Sequence, residues 1–190
     1  GNITRNLNAY AIRSRLTLYS NFTYFLNNPV QGDQFLQSEN RTVMGATGSQ
    51  NWATTWGGRE VLNTVGFQVR RDRLSPVANY TTQGRQIIGT TTLDDATVTS
   101  IAPYLSNSIR WTPWLKTIAG LRFDHQQFDV TSTVPANSGN RSDSLRSPKF
   151  SAVFGPWAKT EYFLNWGRGF HSNDARGVNQ TVNPSTGAAS

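Results

Sequence analysis

The sequence predicts an all-β fold, an antiparallel up-and-down transmembrane β-barrel of which these 190 residues form part of the wall. Polar and apolar residues alternate with a period of two along most of the chain. The alternating segments exceed the ~5–6 residues usual in soluble proteins, and a tilted strand needs ~9–11 residues to cross a bilayer. In addition, tryptophans gather near the short turns that separate these segments.

The alternation predicts seven strands, at about 8–26, 34–51, 60–73, 96–111, 114–130, 145–156 and 160–172. Each strand has one mainly apolar and one mainly polar face, as Leu121 and Phe123 against Arg122 and Asp124 illustrate. We expect the apolar faces to contact lipid and the polar faces to line a wet lumen. The predicted lumen-facing residues are Arg13, Arg15, Arg122, Asp124 and Asn165.

The predicted connections alternate between short and long. The short ones follow the second, fourth and sixth strands, whereas the long ones are 27–33, 74–95, 131–144 and the residues after 172. Outer-membrane barrels have short periplasmic turns and longer extracellular loops. Since barrels carry aromatic girdles at the lipid–water boundary, we expect a periplasmic girdle formed by Trp52, Trp56, Trp111, Trp114 and Trp157.

Composition excludes several other classes of protein. The chain has no cysteine, so disulfide frameworks and cysteine-based metal or redox sites are excluded. Its net charge of +7 comes from scattered Lys and Arg residues. A nucleic-acid interface requires clustered basic residues, so no nucleic-acid partner is expected.

No motif predicts covalent chemistry. His125 and His171 are far apart in sequence, and nucleophile elbows, phosphate loops and calcium loops are absent. We therefore expect no enzyme activity, metal or cofactor. Gly167 and Gly169 interrupt the alternation around one arginine, which indicates a bulge or a polar loop root. The residues that could contact a ligand or an internal plug there are Arg168, His171, Asn173, Asp174 and Arg176.

Four segments resemble the barrel wall of TonB-dependent outer-membrane receptors: "NNPVQGDQF", "TVGFQVRRDRLSP", "WTPWLKTIAGLRFDHQQFDV" and "SPKFSAVFGPWAKTEYFLNWGRGFHSNDARG". The similarity covers most of residues 7–177. It implies a 22-stranded barrel with an N-terminal plug in the outer membrane of a Gram-negative bacterium. Such receptors bind scarce nutrients, commonly ferric siderophores or cobalamin, and inner-membrane TonB acts on the plug.

The resemblance makes residues 1–190 a fragment of the barrel domain in which the plug has no match. The implied partners are outer-membrane lipid, a nutrient ligand such as a ferric siderophore, and the TonB complex acting through the missing plug. Two alternatives stay open. A passive porin would share the wall pattern without a plug, and a soluble β-sandwich binding module could use its tryptophans to close the end of a core.

Overall fold

The computed structural model describes residues 3–169, 180–183 and 187–189. Seven antiparallel strands follow one another in sequence order within a single sheet, which curls into a half-barrel. The strands are β1 (Ile3–Ser20), β2 (Phe35–Trp56), β3 (Arg59–Gln83), β4 (Gln86–Thr112), β5 (Leu115–Ser132), β6 (Gly139–Trp157) and β7 (Thr160–Gly167). Within this described part, no helix is long and apolar enough to cross a membrane.

Two-residue turns close four of the six connections. Three of these turns, at 57–58, 84–85 and 158–159, have positive φ at both positions. Such turns match the right-handed twist of the flanking strands. We call the end of the sheet that carries the β2–β3, β4–β5 and β6–β7 turns the turn end, and the opposite end the loop end.

At the loop end, the structure corrects the predicted loops. Residues 74–83 and 86–95 belong to β3 and β4, which meet in a two-residue turn, so the prediction of a long loop at 74–95 is wrong. The predicted loop at 131–144 shortens to 133–138, which includes a 3-10 helix at Pro135–Asn137. Conversely, β1 ends at Ser20, and residues 21–34 form a longer loop than the predicted 27–33.

The most buried apolar side chains gather near the loop end of β3, β4 and β5. Leu74, Val77, Ala96, Phe128 and Val130 form this cluster, with Val98 packed against it. Most other side chains on the strands are half-buried or exposed. Over most of its area, the described part of the chain is therefore a wall one layer thick.

Candidate functional site

The strand register separates the side chains into two faces. One continuous row across five strands carries Ser49, Gly66, Tyr104, Arg122 and Ser147. The adjacent row, on the opposite face, carries Gln50, Val65, Leu105, Leu121 and Pro148. The first face is therefore polar and the second is mainly apolar at mid-height, as a wall between water and lipid requires.

The polar face is the concave one. Arg122 Nη1 donates a hydrogen bond to Gln68 Oε1 at 2.5 Å, which joins β5 to β3 across the intervening strand β4. Ala102 lies opposite Gln68 on β4, and only 2% of it is exposed. Side chains two strands apart can meet over a small residue because the sheet curves toward them.

A cavity of about 550 Å³ lies on this concave face, and we call it the concave cavity. Its apolar side is formed by Leu74, Ala96, Val98 and Phe128. Its polar side includes Tyr10, Arg41, Gln68, Arg70, Asp72, Arg122 and Gln126. The cavity therefore places hydrogen-bond donors and acceptors beside a smaller apolar surface.

The arginines around the concave cavity are held by carboxylates two residues away on the same strand. Arg70 pairs with Asp72 at 2.8 Å, and Arg122 pairs with Asp124 at 2.8 Å. The Asp124 side chain is only 7% exposed, whereas that of Arg122 is 37% exposed. Each pair fixes a guanidinium against the wall and leaves some of its N–H groups free to donate to another molecule.

The structure sorts the predicted lumen-facing residues onto two faces. Arg122, Asp124 and Asn165 lie on the concave face. Arg13 and Arg15 lie on the convex face instead. Arg13 belongs to a row on that face that continues through Thr42, Arg73, Thr97 and Asp129. The prediction that Arg13 and Arg15 face the lumen is therefore wrong.

The candidate ligand-contacting segment lies largely outside the described residues. Arg168 is exposed, and its backbone N–H donates to the carbonyl oxygen of Pro148 at 3.0 Å. The other predicted residues, His171, Asn173, Asp174 and Arg176, lie outside the described residues. Their contact with a ligand or a plug stays a prediction.

The five predicted girdle tryptophans lie near the turn end of β2, β4, β5 and β6. Trp56 and Trp111 meet edge to face at 6.0 Å between ring centroids, and Trp114 stacks with Trp157 at 6.1 Å. The indole N–H of Trp111 donates to Thr117 Oγ1 at 2.7 Å. Trp52 shares the convex face with Asn63. Their role as a membrane girdle stays a prediction.

The sequence reasoning missed Gln68, Asp72 and Arg41 as residues of the concave face. The sequence does carry a signal for Asp72, because Arg70-x-Asp72 has the same spacing as Arg122-x-Asp124. No local signal links Gln68 to Arg122, which is 54 residues away. Among the described residues, no cluster of three His, Asp or Glu side chains could hold a metal ion.

Comparison with known proteins agrees with this geometry. Residues 2–190 match the family described as TonB dependent receptor-like, beta-barrel. No curated protein matches the chain in sequence. The chain is similar in fold to the crystal structure of the ferric citrate transporter FecA in the unliganded form, with a TM-score of 0.72 and 14% sequence identity. That alignment covers 87% of this chain and 24% of the FecA chain, so these residues correspond to about a quarter of its length.

Proposed function

The chain belongs to the TonB-dependent receptor-like β-barrel family, and we propose that its seven strands form part of the wall of a receptor that imports a scarce nutrient. Family membership confirms the predicted resemblance and barrel fold, and it places the chain in the outer membrane of a Gram-negative bacterium. It also agrees with the prediction that the chain is not an enzyme.

The observation that carries the proposal is the family match over residues 2–190. The concave cavity supports it, because a transporter wall needs polar groups on the face along which a ligand or a plug moves. Arg70 and Arg122 are held there by their carboxylate partners. The wall offers fixed guanidinium donors to a passing ligand, so we propose that it contributes to ligand binding and passage.

For the substrate, we propose a ferric siderophore or cobalamin. Arginines suit an anionic ferric chelate, because guanidinium groups bind carboxylates with paired hydrogen bonds. The ligand-contacting residues would be Arg168, His171, Asn173, Asp174 and Arg176. Energy would come from the TonB complex, acting through a plug that is not among the residues described above.

Uptake by whole cells tests the proposal. Cells that carry the intact receptor are compared with cells that lack it, and with cells that lack TonB, for uptake of labelled ferric siderophores and cobalamin. We expect uptake of at least one ligand to require both the receptor and TonB. Uptake that requires the receptor and persists without TonB would instead indicate a passive porin.

The ligand-contacting residues are tested separately in the intact receptor. Replacing Arg168 and Arg176 together with Gln should weaken ligand binding by about tenfold or more, since hydrogen bonds to charged groups contribute ~1.5–3 kcal/mol each. Arg110→Gln is the matched control, because Arg110 pairs with Glu60 at the turn end. Unchanged binding in the double variant would remove these residues from the site without affecting the import proposal.

A further inference from the structure

Four arginines form a patch on the convex face of the wall. Arg13 and Arg15 lie on β1, and Arg71 and Arg73 lie on β3. The register brings them together, since Thr42 pairs with both Arg13 and Arg73, and Met44 pairs with Ala11 and Arg71. With strands ~4.8 Å apart, Arg13 and Arg73 lie about 10 Å apart across β2. We call these residues the convex arginine patch.

The patch begins where the apolar surface of the convex face ends. Along β1, Leu7, Ala9 and Ala11 precede Arg13 on this face. Along β3, Val65, Phe67 and Val69 precede Arg71. From Val61 near the turn end to Arg71, a strand rising ~3.3 Å per residue at a ~40° tilt climbs about 25 Å, which is the usual height of the apolar band of a barrel. The patch therefore lies at head-group level.

The charges of the patch are not neutralised by carboxylates within the described part of the chain. All four arginines are exposed, and none of the ion pairs there includes them. Three arginines of the concave face differ from these four, because Arg41, Arg70 and Arg122 each pair with an acidic residue two positions away.

A groove of about 460 Å³ runs through the patch, and Arg13, Arg15 and Arg73 line it with Asn40 and Thr42. Asn40 Oδ1 accepts a hydrogen bond from Arg15 Nε at 2.9 Å, which orients the guanidinium and leaves its terminal N–H groups free. Several convergent guanidinium groups suit phosphate, which accepts paired hydrogen bonds and carries the complementary charge.

We propose that the convex arginine patch binds the phosphates of an anionic lipid head group in the outer leaflet of the outer membrane. The inference rests on family membership and on the turn end being periplasmic, and it does not require nutrient import. A lipid fits better than a free anion, because acyl chains can lie on Leu7, Ala9 and Phe67 while the head group reaches the arginines. The four arginines of the patch lie on the face opposite the concave cavity, although Arg41 lines both the cavity and the groove.

The test uses the intact receptor, purified in detergent and examined by native mass spectrometry. The probes are lipid A with both phosphates, the same glycolipid with its phosphates removed, and inorganic phosphate. We expect only the phosphorylated glycolipid to be retained. Arg13→Gln with Arg73→Gln should weaken its binding roughly 25-fold, because each basic residue near anionic head groups contributes roughly fivefold. Replacing the same two residues with Lys should restore most of the affinity.

A matched pair of single variants provides the control. Arg5 Nε donates to Gln50 Oε1 at 2.9 Å, as Arg15 does to Asn40, but Arg5 lies near the turn end of the same face. Arg15→Gln should weaken glycolipid binding roughly fivefold, whereas Arg5→Gln should leave it unchanged. Equal retention of the phosphate-free glycolipid, displacement by inorganic phosphate, or unchanged binding in the Arg13–Arg73 double variant would each overturn the proposal.

Discussion

Introducing a charge at mid-height of β4 tests which face of the wall meets lipid. Leu105 lies in the convex row between Val65 and Leu121, and it is 55% exposed. It is four residues from Ile109, which pairs with Val61, and six from Thr99, which pairs with Arg71, so the edges of the apolar band are ~10 and ~16 Å away at ~3.4 Å per residue and a ~40° tilt. At that depth, Leu105→Arg should destabilise the barrel by ~2–4 kcal/mol, which is about 30- to 1,000-fold in the folding equilibrium.

The neighbouring residue provides the matched control. Ser106 lies on the concave face between Thr64 and Gly120, so Ser106→Arg should change stability by about 0.5 kcal/mol or less. The variant Leu105→Ala removes the contacts of the leucine side chain without adding a charge, so it separates these two contributions to the loss of stability. The assay is guanidinium unfolding of the intact receptor in lipid vesicles, followed by tryptophan fluorescence. If Ser106→Arg destabilises the receptor as much as Leu105→Arg, the assignment of faces is wrong.

Two further predictions concern single positions. Gly66 lies beneath the Tyr104 ring, and a Cβ there would also be 2.7 Å from a backbone carbonyl oxygen of β2. Gly66→Val should therefore lower the unfolding free energy by about 1–3 kcal/mol. Gly89→Ala should not lower it, because the nearest atom to a Cβ at Gly89 is Thr81 Cβ at 3.8 Å. The hydrogen bond from the Asn27 backbone N–H lowers the pKa of Asp33. Asp33 therefore stabilises the β1–β2 loop above the ordinary carboxyl pKa and ceases to do so as pH falls through the lowered pKa. The protection factor of the Asn27 amide, which corrects the exchange rate for its intrinsic pH dependence, should fall in the same pH range. The same fall in protection factor in Asp33→Asn would contradict this prediction.

The barrel fold could be predicted from sequence because lipid and water impose opposite requirements on neighbouring residues. In β5, Leu121 and Phe123 lie on the convex face, while Arg122 and Asp124 lie on the concave face. A register slip of one residue would exchange these faces and place two charges in lipid, so the pattern is strongly constrained. The two-residue turn between β4 and β5, which includes Trp114, was predicted from the same pattern, because the alternation of polar and apolar residues changes phase there.

The hairpin at the loop end could not be predicted in the same way. Residues 74–95 contain five Thr and two Gly residues, and a register shift between Leu74 and Val77 interrupts the pairing. Above the apolar band neither face meets lipid, so the apolar half of the alternation disappears although the backbone ladder continues. Gly84 was the remaining local signal of a tight turn in the sequence, and the structure shows positive φ at both Gly84 and Arg85.

The faces of β1 were assigned in reverse because this strand carries apolar residues on both sides. Its bulkier ones, including Tyr10 and Ile12, lie on the concave face, and the smaller Ala9 and Ala11 lie on the convex face. Pairing decides between them: Tyr10 lies over Gly45, where any Cβ would collide with its ring. A glycine that accommodates a ring from the next strand is a relation between residues 35 positions apart, so hydrophobicity along β1 alone cannot reveal it. Once that contact fixes the register, Arg13 must lie on the lipid-facing side.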